Sequence, residues 1–179
     1  LVIGTGTLAP HLIAAHASQR KITEVQIWGR RLKKATSVAA AIDVPGVTAK
    51  AVDDLEAAVA EADIISCATL AITPLIRGEW LRPGQHLDLV GSFTRGMREA
   101  DDTAIRRARV FVDTDDAIKT TGDIIDPLER GVIEPLDILG TLFTLTQGEA
   151  PPARPEGDEI TLFKSVGTAI EDLAGAVLP

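Results

Sequence analysis

The sequence predicts an α/β fold in which helices cover both faces of a doubly wound parallel sheet. Short aliphatic runs alternate with stretches of helical length along the 179 residues, a pattern typical of βαβ units. Hydrophobic residues make up 45% of the chain and aromatic residues only 3%, as expected where aliphatic strands are buried on both faces. The first aliphatic run also ends in a glycine-rich turn that leads into a helix.

The first half of the chain supplies most of the predicted elements. Leu1 to Ile3 is a strand, and the helix over 8–19 has Pro10 in its first turn, where a missing N–H costs little. The next elements are a strand over 24–28, a helix over 32–42, a strand over 47–51, a helix over 54–60 and strands over 62–67 and 85–90. Asp53 is expected to cap the helix over 54–60 by accepting its free N–H groups.

The second half is predicted more sparsely. A helix runs from after Glu99 to about Arg107, and a strand follows over 109–112. The Pro-rich stretch 150–157 should be an exposed loop, followed by a strand over 159–163 and a closing helix over 168–177. We interpret 1–179 as one dinucleotide-binding domain, with 150–179 packing back on it. Because the chain opens on an apolar strand without an initiator Met, we expect it to be part of a longer protein.

Composition excludes several classes of protein. The formal charge of −8 argues against a nucleic-acid partner, since phosphate grooves need clustered basic residues. No apolar run approaches the roughly 20 residues that span a bilayer, and no secretory signal is recognisable. The single cysteine, Cys67, excludes a disulfide framework and fits a reducing cytosol. We therefore expect a cytoplasmic protein with a small-molecule substrate.

The glycine-rich turn carries the clearest indication of a ligand. It reads Gly4-Thr5-Gly6-Thr7-Leu8-Ala9, a G-x-G-x-x-A pattern that follows a strand and opens a helix. Gly4 permits the tight turn, Gly6 lets a pyrophosphate approach the backbone, and Ala9 lets helix and strand pack closely. The free N–H groups of the helix N-terminus would bind the phosphates. These features predict a Rossmann-type domain that binds a dinucleotide.

The end of the second strand discriminates between cofactors. Binders of NAD usually have Asp or Glu there for the ribose 2′-hydroxyl, whereas an Arg accommodates a 2′-phosphate. This chain reads Trp28-Gly29-Arg30-Arg31-Leu32-Lys33-Lys34, without a carboxylate. Arg30 could grip a phosphate in a bidentate fork, supported by Arg31 or Lys34. The alternative is a solvated basic helix start. NADP(H) is therefore preferred, and NAD(H) is kept as the second choice.

Topology adds two further segments to the cofactor-binding prediction, because ligands of open α/β sheets bind beyond the carboxyl ends of the strands. The segments are Cys67-Ala68-Thr69 and Val90-Gly91-Ser92. Cys67 is interpreted as a packed residue, with a nucleophilic role as the alternative, since no base stands near it in the sequence. The histidines, at positions 11, 16 and 86, show no metal-ligand spacing and are interpreted as structural.

Four stretches together resemble the ornithine cyclodeaminase/mu-crystallin family. They are VGSFTRGMRE at 90–99, VFVD at 110–113, TGD at 121–123 and EITLFKSVGTAIED at 159–172. The resemblance implies an NAD(P)-dependent protein and a homodimer. It also implies an N-terminal domain that supplies the Lys and Arg for the substrate carboxylate, and no such domain is recognisable in this sequence. Catalytic residues therefore remain unassigned.

The same resemblance bears on the reaction. Ornithine cyclodeaminases carry an Asp in the loop after the strand that ends at Val90, and alignment places Phe93 there. Phenylalanine cannot exchange a proton, so the loop resembles that of ketimine reductases. The main hypothesis is NADPH-dependent reduction of Δ1-pyrroline-2-carboxylate or Δ1-piperideine-2-carboxylate. The alternatives are an ornithine cyclodeaminase, an alanine dehydrogenase and a non-catalytic NADP-binding protein.

Four other polar residues are candidates for the cleft, and three of them have a second interpretation. Asp113 and Asp123 either face the active-site cleft or cap the helices that follow them, and capping is the preferred role. Lys164 and Ser165 precede the closing helix and would lie near the nicotinamide, with a surface position for the lysine as the alternative.

Overall fold

A computed structural model describes residues 1–177 and contains one parallel sheet of eight strands, in the order β3-β2-β1-β4-β5-β8-β6-β7. The strands are β1 Val2–Ile3, β2 Glu24–Trp28, β3 Thr48–Val52, β4 Ile64–Cys67, β5 His86–Leu89, β6 Ala108–Val112, β7 Ile138–Thr141 and β8 Ile160–Lys164. The helices are α1 Leu8–Gln19, α2 Leu32–Ala40, α3 Leu55–Glu61, α4 Asp102–Arg107, α5 Ala117–Thr120, α6 Gly122–Glu129, α7 Leu142–Gln147 and α8 Ala169–Val177. The predicted doubly wound α/β fold is confirmed.

The strand order determines where a ligand can bind. From β1 the chain runs outward through β2 to β3 and then returns to the other side of β1 with β4 and β5. The order therefore reverses between β1 and β4, and open α/β sheets bind their ligands at such a switch point. Because all pairings are parallel, every strand ends at the same edge of the sheet.

Two apolar layers hold the sheet. Val2 packs with Ile13 and Ala35 in the layer under α1 and α2. Its neighbour Ile3 points to the opposite face, where a larger cluster includes Val59 of α3 and Ile105 of α4. Successive side chains of a strand alternate between faces, and both faces are buried here. Val2 and Ile3 of β1 are accordingly both apolar and both buried. No helix in the described part has the length and apolar character needed to cross a membrane.

The structure corrects two local predictions. Asp54, not Asp53, caps α3, and its Oδ1 accepts a hydrogen bond from Ala57 N at 3.0 Å. Helix α2 ends at Ala40 rather than Ile42. The stretch 113–149 contains α5, α6, β7 and α7, none of which was predicted. These elements are short, and Pro127 lies inside α6, so neither periodicity nor the usual boundary residues identify them.

The interpretation of two histidines as structural agrees with their contacts. His16 Nε2 lies 3.1 Å from Asp88 Oδ2, which also accepts a hydrogen bond from Ser66 Oγ at 2.8 Å. His86 Nδ1 lies 2.8 Å from Thr161 Oγ1 on β8. These polar side chains lie on the face of the sheet that carries α1.

We expect mild acid to destabilise the protein through His86. Burial lowers the pKa of its imidazole below the usual 6.5, so the unfolded chain binds the proton first. Stability is therefore full above the unfolded pKa and is lost as pH falls towards the folded pKa, by at most about 1.4 kcal/mol per pH unit. Urea unfolding from about pH 8 to about pH 5 should show a steeper loss for the wild type than for His86→Gln. Identical pH profiles would contradict this.

Candidate functional site

The carboxyl ends of four neighbouring strands bring the predicted cofactor-binding residues together. Gly4 N, after β1, donates to Trp28 O of β2 at 2.9 Å, and Ala68 N, after β4, donates to Ile3 O at 2.9 Å. Val90 N, after β5, donates to Cys67 O at 2.8 Å. These bonds extend the sheet by one residue into its loops. The loops after β1, β2, β4 and β5 thus lie side by side at the switch point.

The two glycines of the first turn have different surroundings. Gly4 has φ +129°, and a Cβ added to it would lie 2.5 Å from Ala68 O. The turn therefore admits no larger residue at this position. A Cβ added at Gly6 would meet no atom within 4 Å. Gly6 is exposed on the outside of the turn, so this position leaves free space for a ligand against the backbone.

The N-terminus of α1 is open to a ligand. Its N-cap, Thr7, makes no side-chain capping hydrogen bond, and the first turn carries no acidic residue. Thr7 and Leu8 are exposed, whereas Thr5 is half-buried beside Gly29. The N-terminus of a helix carries a partial positive charge and unsatisfied N–H groups. The arrangement around Gly6 therefore fits a pyrophosphate.

The end of β2 presents a basic surface. Gly29 lies against Thr5, since a Cβ added to it would be 2.6 Å from Thr5 Cγ2. Arg30 and Arg31 are both exposed, and Arg31 is the N-cap of α2. In residues 1–177, neither arginine forms an ion pair with a carboxylate. Both guanidinium groups are thus available to an anionic ligand.

A buried carboxylate, Glu99, joins the loops after β4 and β5. Thr69 N and Thr69 Oγ1 donate to Glu99 Oε1 at 2.7 and 2.9 Å. Gly91 N and Ser92 N donate to Glu99 Oε2 at 2.8 and 3.2 Å. A Cβ added at Gly91 would lie 2.1 Å from Thr69 N, so the two loops are in direct backbone contact. Val90 is half-buried beside them, and Ser92 Oγ is hydrogen-bonded to Thr121 Oγ1.

Asp113 and Asp123 do not cap helices, which corrects the preferred interpretation. Asp113 is fully buried at the end of β6, and its Oδ2 accepts from Val166 N and Gly167 N at 2.6 and 2.8 Å. Asp123 is fully buried in the first turn of α6, and its Oδ1 accepts from Glu99 N at 2.8 Å. Each carboxylate binds the backbone of a segment that is distant in sequence. Tertiary contacts have replaced the local capping bonds.

Lys164 is also buried, so the surface interpretation of this lysine is wrong. Its side chain at the end of β8 is fully inaccessible, and its Nζ donates to Leu89 O at 2.9 Å. Burial lowers the pKa of this amine, while the charges of Asp123 and Glu99 act in the opposite direction. Ser165 is half-buried, and its N donates to Leu89 O. Lys164, Glu99, Asp113 and Asp123 are all buried beneath the cleft, and we call these four residues the ionic cluster. In residues 1–177 the lysine forms no direct ion pair with the three carboxylates.

Cys67 is a packed residue, as preferred from the sequence. It is a free, fully buried thiol. Burial raises its pKa well above the usual value, and the nearby Glu99 carboxylate raises it further. A nucleophilic cysteine needs a lowered pKa, so this thiol is not a nucleophile.

Three exposed apolar side chains stand beside the loops that Glu99 joins. Leu70 and Ile72, in the loop after β4, are 73% and 74% exposed, and Phe93 after β5 is 50% exposed. Large apolar side chains at a cleft, rather than charged ones, favour an apolar ligand surface. We call these three residues the apolar rim.

The site residues that the sequence did not reveal contact partners that are distant from them in the chain. Glu99, Arg98 and Thr121 lie in the stretches that carry the family resemblance, but none of them was assigned a role from the sequence. Arg98 is almost buried, and its Nη2 lies 2.8 Å from Asp102 Oδ1. No motif spacing marks these residues. Only the number of charged groups between 98 and 123 could have indicated a buried network.

Two cavities lie away from this cleft. One of about 300 Å³ opens beside the starts of β2 and β4, lined by Thr23, Asp63 and Ile64 among others. A second, of about 780 Å³, crosses the α1 face of β5 and β8 and includes His86 and Phe163. Neither touches the phosphate-binding turn. We place the candidate site in the open crevice at the strand ends, where ligands of this sheet topology bind.

Comparison with known proteins identifies the family. A model described as the ornithine cyclodeaminase/mu-crystallin family matches residues 1–178. The Δ1-pyrroline-2-carboxylate reductase of Colwellia psychrerythraea is 42% identical over 179 residues, which are 98% of this chain and 56% of that protein. The chain thus spans about half the length of this relative.

Solved structures give the same picture. The Thermococcus litoralis Δ1-pyrroline-2-carboxylate reductase, in complex with NADH and L-proline, has a TM-score of 0.93 and 34% identity, covering 98% of this chain and 55% of that one. An archaeal alanine dehydrogenase dimer with bound NAD has a TM-score of 0.89 and 29% identity, covering 98% and 54%. The chain therefore belongs to the ornithine cyclodeaminase/mu-crystallin family, as its sequence motifs predicted.

Proposed function

We propose that the full-length protein is an NADPH-dependent reductase of a small cyclic ketimine acid. The substrate is Δ1-pyrroline-2-carboxylate or Δ1-piperideine-2-carboxylate, and the product is proline or pipecolate. The relatives from Colwellia psychrerythraea and Thermococcus litoralis bear the name of the first of these activities. The proposal extends that activity to this chain and adds a preference between the two cofactors.

The observation that carries the reductase assignment is the apolar rim. Phe93 occupies the loop where an ornithine cyclodeaminase is expected to carry an acid, and Leu70 and Ile72 stand on the adjacent loop. None of the three can hold a proton or form a salt bridge with an ammonium group. An apolar surface that excludes water instead suits delivery of a hydride to a C=N bond.

The residues of this chain would bind and orient the reactants. The Gly4–Leu8 turn and the α1 N-terminus hold the pyrophosphate, while the Thr69 and Gly91–Ser92 loops border the nicotinamide. When bound, the cofactor would supply the hydride for the imine carbon, and solvent would supply the proton for the nitrogen, so that C=N becomes CH–NH. The apolar rim keeps water from the reacting carbon. The residue that binds the substrate carboxylate is expected from the rest of the full-length protein.

The cofactor preference rests on Arg30 and yields a prediction. We expect the wild type to use NADPH in preference to NADH, and Arg30→Ala to lower kcat/KM for NADPH by about 10- to 100-fold, because a charged hydrogen bond to the 2′-phosphate is lost. The value for NADH should change little. Steady-state oxidation of each cofactor with Δ1-pyrroline-2-carboxylate measures both.

Arg106→Ala is a matched control, because Arg106 is an exposed arginine on α4, away from the cleft. It should leave kcat/KM unchanged for both NADPH and NADH. Equal or faster turnover of the wild type with NADH would contradict the NADPH preference and favour NAD(H), which the Thermococcus litoralis structure contains in reduced form.

Amino-acid dehydrogenation is the second candidate, because an archaeal alanine dehydrogenase shares the fold at a TM-score of 0.89. NAD(P)⁺ reduction with alanine, without imine reduction, would favour it. Release of ammonia from ornithine would instead indicate a cyclodeaminase, and tight NADPH binding without any turnover would indicate a non-catalytic protein.

The proposal includes a homodimer, like that dehydrogenase. It also includes a cytoplasmic location, which suits a chain whose one cysteine is a free thiol.

A further inference from the structure

The Glu99 carboxylate is a connection point inside the candidate site. It is fully buried, and its two oxygens bind different loops: Oε1 accepts from Thr69, and Oε2 accepts from Gly91 and Ser92. Two strands, β4 and β5, therefore have their loops joined through one side chain. Hydrogen bonds to a charged group are the stronger kind, so this connection fixes the distance between the loops.

The backbone of Glu99 is held from the opposite side. Asp123 Oδ1 accepts from Glu99 N and Ala100 N at 2.8 and 3.1 Å. Lys164 is fully buried, and its Nζ donates to Leu89 O at 2.9 Å, one residue before the second loop begins. A buried charge is expensive unless it is paired and hydrogen-bonded. The ionic cluster thus keeps four ionisable side chains in the core, where aliphatic residues would need no hydrogen-bond partners.

Resting on the proposed function, we propose that Glu99 is a positioning residue for hydride transfer. It holds the Thr69 and Gly91–Ser92 loops at the spacing that orients the nicotinamide towards the substrate. Glu99 has no access to the cleft and touches neither reactant. Its effect passes entirely through the two loops, whereas the pyrophosphate binds at Gly6, the 2′-phosphate binds at Arg30, and neither depends on Glu99.

The test measures separately the effect on hydride transfer, which needs the nicotinamide, and the effect on binding of the adenosine phosphates. In Glu99→Gln of the full-length protein, an NH₂ group replaces one oxygen and faces N–H donors, so one loop loses its acceptor. We expect kcat for imine reduction to fall at least about tenfold, while the Kd for 2′,5′-ADP, which lacks nicotinamide, stays within about twofold. Amide hydrogen exchange of Thr69 or of Gly91 and Ser92 should accelerate in the variant without any ligand.

Glu24→Gln serves as the control, because Glu24 is exposed, is paired with Lys50 and lies at the start of β2, at the edge of the sheet opposite the cleft, and it should match the wild type. If Glu99→Gln does not fold, Thr69→Val should lower kcat in the same direction, because it removes the 2.9 Å hydroxyl bond to Glu99 Oε1, together with the 3.3 Å bond from Ala71 N, and keeps the backbone bond of Thr69 N. Wild-type kcat and exchange in Glu99→Gln would overturn the proposal. A wild-type enzyme without imine turnover would instead overturn the proposed function, and the exchange measurement would still test the joining of the loops.

Discussion

Gly6→Val should weaken NADPH binding by at least about 100-fold and leave the thermal unfolding temperature nearly unchanged. A Cβ at Gly6 meets no protein atom within 4 Å, so the fold has room for the larger side chain. The same space is the one through which a pyrophosphate approaches the backbone. Losing two charged hydrogen bonds of about 1.5–3 kcal/mol each accounts for the factor. Titration of NADPH fluorescence, with calorimetric unfolding of the same samples, measures both quantities.

Gly4→Ala is the matched comparison, because Gly4 belongs to the same turn but, unlike Gly6, has no room for a side chain. Gly4 has φ +129°, and its added Cβ would lie 2.5 Å from Ala68 O. Backbone strain together with steric overlap should lower the free energy of unfolding by roughly 2–5 kcal/mol. The first glycine thus governs folding and the second governs binding. Unchanged NADPH affinity in Gly6→Val would show that the cofactor does not lie on this turn.

Lys164→Met should lower the free energy of unfolding by about 1–3 kcal/mol at neutral pH. The methionine keeps most of the aliphatic stem but removes the Nζ that donates to Leu89 O at 2.9 Å. The buried carboxylates of Glu99, Asp113 and Asp123 then lose their nearby positive charge, and burial of uncompensated charge is costly. Urea unfolding followed by circular dichroism measures the change.

Lys119→Met provides the control, since Lys119 is an exposed lysine on α5. Surface substitutions of this kind change stability by about 0.5 kcal/mol or less. If Lys164→Met were equally mild, the lysine would not be the counter-charge of the ionic cluster. The cluster would then have to be held by hydrogen bonds to neutral backbone groups alone.

The sequence predicted those features that residues close together in the chain encode. The residues of the β1–α1 turn are neighbours in the chain. The glycine spacing, the strand before it and the helix after it therefore all indicate the same phosphate-binding turn. The basic residues after β2 follow from the same unit. The predicted strand ends at 67 and 90 could be assigned to the same edge of the sheet because parallel strands all end there.

The buried cluster could not be predicted in this way. Glu99 and Asp123 are 24 residues apart, yet a backbone N–H of one meets the carboxylate of the other, and Lys164 reaches the end of β5 across 75 residues. Local rules assign a solvated surface to lysine and a helix cap to aspartate. Strand β8 inserts between β5 and β6, and this insertion, which no local pattern encodes, buries the lysine.

The most direct test of the central claim follows the hydride itself. Full-length protein is incubated with Δ1-pyrroline-2-carboxylate and NADPH that carries deuterium at C4 of the nicotinamide, and the product is examined by mass spectrometry and NMR. The proposed function predicts proline with deuterium at Cα, formed from one face of the labelled cofactor. The contradicting result has two parts: the imine gives no deuterated proline, and ornithine gives proline with release of ammonia.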